Sequence, residues 1–436
     1  MMHPRCTPGM SFVAILTCFV GLAACADRTP HPESAGMTEC TEAGPSQEVN
    51  VAMVPSADWT FVQELRVGAI EGGDSITLGR IEDIGVDDQG RIFAADVMGA
   101  HVLVYDPAGR FIRRIGRSGR GPGEFREPMR LLLREDTLLV WDPVAWRITR
   151  FDTSGTVLGT TAPPRPAQFG QVPDVRFTAA GGLMQLGFDR YQTGLETALG
   201  NRARAVVRGP NSIERWDDSA PSWEVLTEVA GLEVYVDMEA GRIQDVAFAR
   251  RPLWAPAANG DVWHTDSGEY TVSRFTPDGA RICTLALNLQ NPPVTAAERD
   301  AYYQGADLTA PTPERVARAQ RDREALPVPA EKPPLARLLV AADGPVWVGR
   351  TPATGPSADS AEWDVLDPAG AWLAVSRLPI GFIPHRVVGE RVYGVERDSL
   401  GVNYVAVYRR VQEAARSADT RAELASPPAP TRRPRS

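Results

Sequence analysis

The chain has 436 residues, 43% hydrophobic and 23% charged, with a formal net charge of −9 at neutral pH. That composition belongs to an ordinary globular protein, and the acidic balance excludes general nucleic-acid binding. Lys332 is the only lysine, so Schiff-base and P-loop lysine chemistry has almost nowhere to occur.

Residues 1–24 carry Arg5 in a short polar lead, an apolar stretch from Phe12 to Ala24, and small residues before Cys25. The stretch is short for a bilayer span and reads as an export signal. Its "LAAC" ending, Leu22 to Cys25, resembles the bacterial lipoprotein signal, which implies Cys25 as the site of lipid attachment. The alternative is an ordinary secretory signal with Cys25 incidental. Residues 25–58 are polar and rich in Pro, Gly and Ser, and are expected to form a flexible tether. Export permits a disulfide between the two remaining cysteines, Cys40 and Cys283, although sequence does not set the geometry.

From residue 59 to 411 the chain repeats a phrase of turn, short apolar strand, polar tip, second strand, Asp/Pro/Gly turn and third strand. "DDQGRIFAADVMGAHVLVYDPAGRFIRRIG" is the clearest copy, and its first turn recurs at Gly90, Asp136, Gly182, Gly260, Gly344 and Gly389. A second phased turn falls at Gly109, Gly155, Gly279 and Gly370. The repeat predicts an all-β fold: a six-bladed β-propeller of four-stranded antiparallel blades, at about 81–118, 127–162, 174–215, 246–290, 335–380 and 383–411. The run Phe61–Ile70 is placed as the strand completing the last blade. Within 294–326, between blades four and five, two short helices are predicted. Thr295 with Glu298 makes a capping box, and Thr312 followed by Pro313 starts the second helix. This insertion would either lie over the funnel, using Tyr302 or Tyr303, or cover a blade edge. The tail, 412–436, is expected to be disordered.

The segment "RRIGRSGRGPGEFREPMRLLL" (Arg113–Leu133), following "VLVYDPAGRF", resembles the connectors of NHL-type repeats, and the chain resembles the bacterial six-bladed β-propeller lipoproteins related to them. The resemblance implies the fold and an exported location but no mechanism; Ala26 stands after Cys25 where some lipoproteins carry the aspartate of inner-membrane retention, which mildly prefers the outer membrane, although Asp27 follows one place later. The family's "Asn-x-Arg" phrase survives only around Trp146–Phe151 and is altered at Gly99–Tyr105.

Candidate site residues come from strand ends. Asp96, Asp142 and Asp266 stand at equivalent places, with Glu396 as a fourth, and could ring a channel as an oxygen-rich site for calcium, though no cofactor is required. The structural alternative is that each aspartate caps its own turn. His264 is the candidate acid or base, clustered in sequence with Asp266, Glu269 and Tyr270. Trp146 and Arg147 could face a sugar ring or an anion. Gly116–Gly123, "GRSGRGPG", lacks the helix and lysine of a phosphate loop and reads as a connector. No complete catalytic constellation appears. The favoured function is therefore a lipid-anchored module binding a glycan, a peptide or an envelope protein. A metal-dependent lyase or lactone hydrolase and an envelope scaffold subunit are the alternatives.

Overall fold

The structure, a computed structural model, describes residues 40, 48–51, 54–69, 73, 77–165, 174–187, 191–287, 289–304, 312–314, 316–317, 324, 326–352 and 359–411. Its strands fall into six consecutive antiparallel units. Unit I holds Ile81–Val86, Ile92–Asp96, His101–Tyr105 and Phe111–Ile115; unit II holds Arg130–Arg134, Thr137–Asp142, Arg147–Asp152 and Val157–Thr161. Unit III holds Val175–Phe177, Leu183–Gly187, Arg204–Trp216, Glu224–Asp237 and Arg242–Asp245. Unit IV holds Leu253–Pro256, Val262–Thr265, Thr271–Phe275 and Arg281–Ala286, and unit V holds Leu335–Val340, Val346–Arg350, Ser360–Leu366 and Trp372–Pro379. Unit VI holds Phe382–Val388, Arg391–Arg397 and Asn403–Val411, and takes its outer strand, Asp58–Val67, from the start of the repeat region.

The turns show why the repeat folds locally. Asp106 accepts N–H bonds from Ala108 and Arg110 at 2.9 and 2.8 Å, and Gly109 takes a φ of 77° that other residues avoid. Asp152, Asp367 and Asp398 repeat that pattern with their own turns. The second and third strands of unit I, IFAAD and HVLVY, are buried at every position. A strand apolar on both faces needs a neighbour on each side. Six apolar clusters supply them, each shared by adjacent units: I with II (Phe93, Leu131), II with III (Trp141, Leu183), III with IV (Ile213, Trp254), IV with V (Trp263, Val348), V with VI (Trp363, Phe382), and VI with I (Val395, Leu103). Neighbouring first strands also approach one another around the same circuit. No unit buries its faces alone, so the ring is the smallest cooperative structure.

Three features depart from the simple repeat. Unit III extends its third and fourth strands into a long hairpin, on which a helix, Tyr191–Leu199, packs Leu195 and Leu199 against Val207, Val234 and Val236. The sequence reading placed no helix there. Second, part of the expected tether is docked: Glu48–Asn50 pairs in parallel with Arg281–Ala286, Val49 and Val51 are buried, and Cys40 forms a disulfide with Cys283. Residues 25–58 are therefore not free along their whole length. Third, the capping box is real: Thr295 N–H and hydroxyl both donate to Glu298, and the helix spans Ala296–Gln304. The lone lysine, Lys332, forms a buried ion pair with that same Glu298 and ties the helix back to the chain before unit V. The second expected helix lies largely outside the described residues, as do Cys25, the leader and the tail. Among the described residues no helix is long and apolar enough to cross a membrane.

Candidate functional site at the channel mouth

In an antiparallel four-strand meander, the ends of the second and fourth strands lie on the same side as the start of the first. One face of the ring therefore carries Asp96, Asp142, Asp266 and every connector between units. The aspartates do not converge. Asp96 is buried and accepts from Gly79 and Gly99 N–H at 2.8 and 3.0 Å; Asp142 is fully buried and accepts from Arg126 and Ala145 N–H at 2.6 and 2.8 Å. Asp266 accepts from Gly268 N–H at 2.8 Å and pairs with Arg208 of the unit III hairpin at 2.9 Å. Glu396 accepts from Gln63 at 2.8 Å. Asp96 and Asp142 each tie their own turn to the connector before their unit, Asp266 ties its turn to the unit III hairpin, Glu396 joins two strands of unit VI, and among the described residues no three His, Cys, Asp or Glu side chains gather as a metal site would require.

The remaining sequence candidates are also built into the scaffold. Trp146 is buried, sits edge-on to Trp141 at 5.1 Å between ring centres and donates Nε1–H to the Pro163 carbonyl at 2.8 Å, so its face is not a platform. Arg147 donates to the carbonyls of Arg120 and Gly121 at 3.0 and 2.8 Å, holding the Gly-rich connector. Tyr270 is buried between units IV and V and donates its hydroxyl to Asp364 at 2.6 Å, where Arg350 makes a bidentate pair with the same carboxylate; burial first, then the charge of Asp364, pushes the Tyr270 pKa up. His264 is buried beside Phe275, its Nε2 has no hydrogen-bond partner among the described residues, and burial brings its pKa down to about 4, against the pull of Asp266. It is a neutral imidazole at pH 7.

What does converge comes from the first strands, which surround the axis. Asp83 of unit I accepts N–H bonds from Ile84 and from Leu131 of unit II, each at 2.9 Å, and lies 3.4 Å from His385 Nδ1 and 3.5 Å from the guanidinium of Arg386, both of unit VI. Burial would raise the Asp83 pKa, but Arg386, the His385 bond and Arg130 together hold it far below the usual carboxylate range. Burial lowers the His385 pKa, so that imidazole is neutral at pH 7. Arg130 of unit II donates to the carbonyls of Met129 and Val175 at 2.9 and 3.0 Å and reaches Asp174 at 3.4 Å. Arg176 of unit III pairs with Asp174 at 2.8 Å and lies 6.0 Å from the Trp254 ring of unit IV. Burial first, with Arg130 and Arg386 adding to it, draws the Arg176 pKa below its ordinary value. Arg337, on the first strand of unit V, is likewise lowered by enclosure, is exposed to solvent, and has no hydrogen-bond or ion-pair partner among the described residues.

Asp83 is buried, whereas Arg130, Arg176, His385 and Arg386 are only partly buried and Arg337 is exposed, so the basic groups border a water-filled lumen rather than a sealed core. Arg130, Arg176 and Arg386 face Asp83 and Asp174, leaving one positive charge in excess before Arg337 is counted. None of these residues stands at the strand ends from which the sequence candidates come. A signal existed: the apolar first strands IEDIGV, RLLLR, VRF, LARLLV and FIPHRVV each carry a charge. The same face also holds a cleft of about 880 Å³ at the seam of units I and VI, where Asp96 forms part of the lining.

Residues 60–174 match a family model described as 6-bladed beta-propeller. No curated protein matches the sequence. Among solved structures, an exported protein of Bacteroides fragilis is similar at 11% identity and a TM-score of 0.42, covering 84% of this chain and 98% of that one. A gluconolactonase of Xanthomonas campestris is similar at 11% identity and a TM-score of 0.40, covering 77% and 87%, and a virginiamycin B lyase of Staphylococcus aureus at 12% and 0.36, covering 76% and 95%. With its closed circuit of antiparallel sheets and the family match over its first two units, the protein is a β-propeller.

Proposed function

We propose that the protein is an exported, lipid-anchored binding module whose ligand is a small anion, carboxylate or phosphate in character, received at the mouth of the central channel. The observation that carries this reading is the excess of guanidinium over carboxylate on the axis of a chain whose overall charge is −9. A local positive field inside an acidic protein is maintained at a desolvation cost, and it concentrates anions where water is scarce. Arg130 and Arg386 spend their N–H groups largely on carbonyls, whereas among the described residues Arg176 has one carboxylate partner and Arg337 none, so these two would meet the ligand. The Cys40–Cys283 bridge supports the exported part of the reading, since such bonds persist in oxidising compartments. Cys25 remains the proposed lipid site.

Titration calorimetry with citrate and inorganic phosphate tests it. Binding that weakens as salt rises and is lost in Arg176→Ala is expected. Absence of binding by either anion, or an Arg176→Ala variant that binds as well as the parent, would overturn it. Calcium serves as a control, and a calcium-driven rise in the unfolding midpoint would favour the metal-dependent reading instead.

A further inference from the structure

The cleft between units I and VI has a different chemistry from the channel. Its volume of about 880 Å³ suits a small organic ligand. Two of its walls are the tips of equivalent turns, and each tip presents a large apolar side chain to solvent: Met98 is 77% exposed and Leu400 76%. Exposed apolar groups scattered singly mean little, but two that border one concavity mark a contact surface. Between them the lining carries three arginines, Arg80, Arg114 and Arg397, and one carboxylate, Asp96. That carboxylate is buried, accepts from the N–H groups of Gly79 and Gly99, and has His101 of the same lining 3.9 Å away, so it is turned into the scaffold. Arg80 pairs with Glu82 at 2.9 Å, while among the described residues the Arg397 guanidinium makes a single long bond, to Asn403 at 3.4 Å. Apolar walls with a cationic lining complement a molecule that is apolar at one end and negatively charged at the other.

We infer that this cleft is a second binding site, separate from the channel, for a free amphipathic carboxylate of fatty-acid type. The apolar tail lies against Met98 and Leu400, displacing water from both, and the carboxylate meets the arginines. The seam location places the ligand across two units, so it would also brace the closure that the N-terminal strand makes with unit VI.

The experiment is calorimetry of the intact folded protein with dodecanoate below its micelle concentration, with dodecyltrimethylammonium of equal chain length alongside. Dodecanoate is expected to bind and the cation to bind at least tenfold more weakly. Met98→Glu with Leu400→Glu, both at exposed positions that leave the core untouched, is expected to weaken dodecanoate at least tenfold, and Arg397→Ala several-fold. Arg176→Ala, in the channel, is expected to leave it unchanged, so this site and the channel reading fail separately. Equal binding of both amphiphiles, or loss in Arg176→Ala, would sink the assignment. Binding to anionic lipid vesicles without binding of monomeric dodecanoate would sink it too, because the surface would then be a membrane contact.

Discussion

Asp142 and Asp83 are both buried carboxylates on strands of the same ring, yet they belong to different kinds of structure. Asp142 bonds, among the described residues, only backbone N–H groups, Ala145 in its own turn and Arg126 in the connector before unit II, whereas Asp83 gathers the Leu131 N–H of unit II and the side chains of His385 and Arg386 of unit VI, the last 303 residues away in sequence. A carboxylate satisfied by its own turn is a folding device and is indifferent to what lies across the channel. One held by distant cations is part of a field that a ligand can feel.

The sharpest way to break that contrast is Asp83→Ala. It strands Arg386 and Arg130 beside an empty site, and loss of one partner of a buried ionic cluster typically costs about 3–5 kcal/mol. A fall of that size in urea unfolding free energy is expected, and a change below about 1 kcal/mol would mean the arginines are already hydrated. Next in size is a pH effect from His264. Its folded pKa of about 4 lies below its ordinary 6.5, so the unfolded chain binds the proton more readily. Its contribution, about 3 kcal/mol, is complete above pH 6.5 and is lost as pH falls towards 4. Stability of His264→Gln relative to the parent should therefore improve across that window, and parallel curves would refute the assignment of a buried neutral imidazole. The smallest effect is expected from Asp142→Ala, which leaves two N–H groups without an acceptor and should cost about 2 kcal/mol. Once folded, that variant should bind citrate as the parent does; lost binding would join the turn ring to the site after all.

Much of the scaffold was legible because its causes are short-range. An Asp followed by a glycine at positive φ makes its turn wherever it occurs, and the run after residue 58 pairs with Asn403–Val411 as its apolar pattern requires. The helix Tyr191–Leu199 was hidden because Gly194 argues against helix, and the glycine is there for another reason: a Cβ would come within 2.0 Å of Pro210 on the hairpin. Packing of Leu195 and Leu199 overrides the propensity. Residues 48–51 read as tether because they are short and polar around two valines, and only the edge of unit IV supplies a partner for them. Trp146 and Tyr270 stood at places that look exposed in a repeat, but neighbouring units bury them.

Strands, turns and the need for a closed ring follow from residue order, because each is dictated by neighbours a few residues apart and by faces too apolar to leave wet. Which charges meet on the axis follows from ring closure instead. Asp83, Arg130, Arg176, His385 and Arg386 are scattered along the chain, and their mutual distances exist only after six units have closed around one centre.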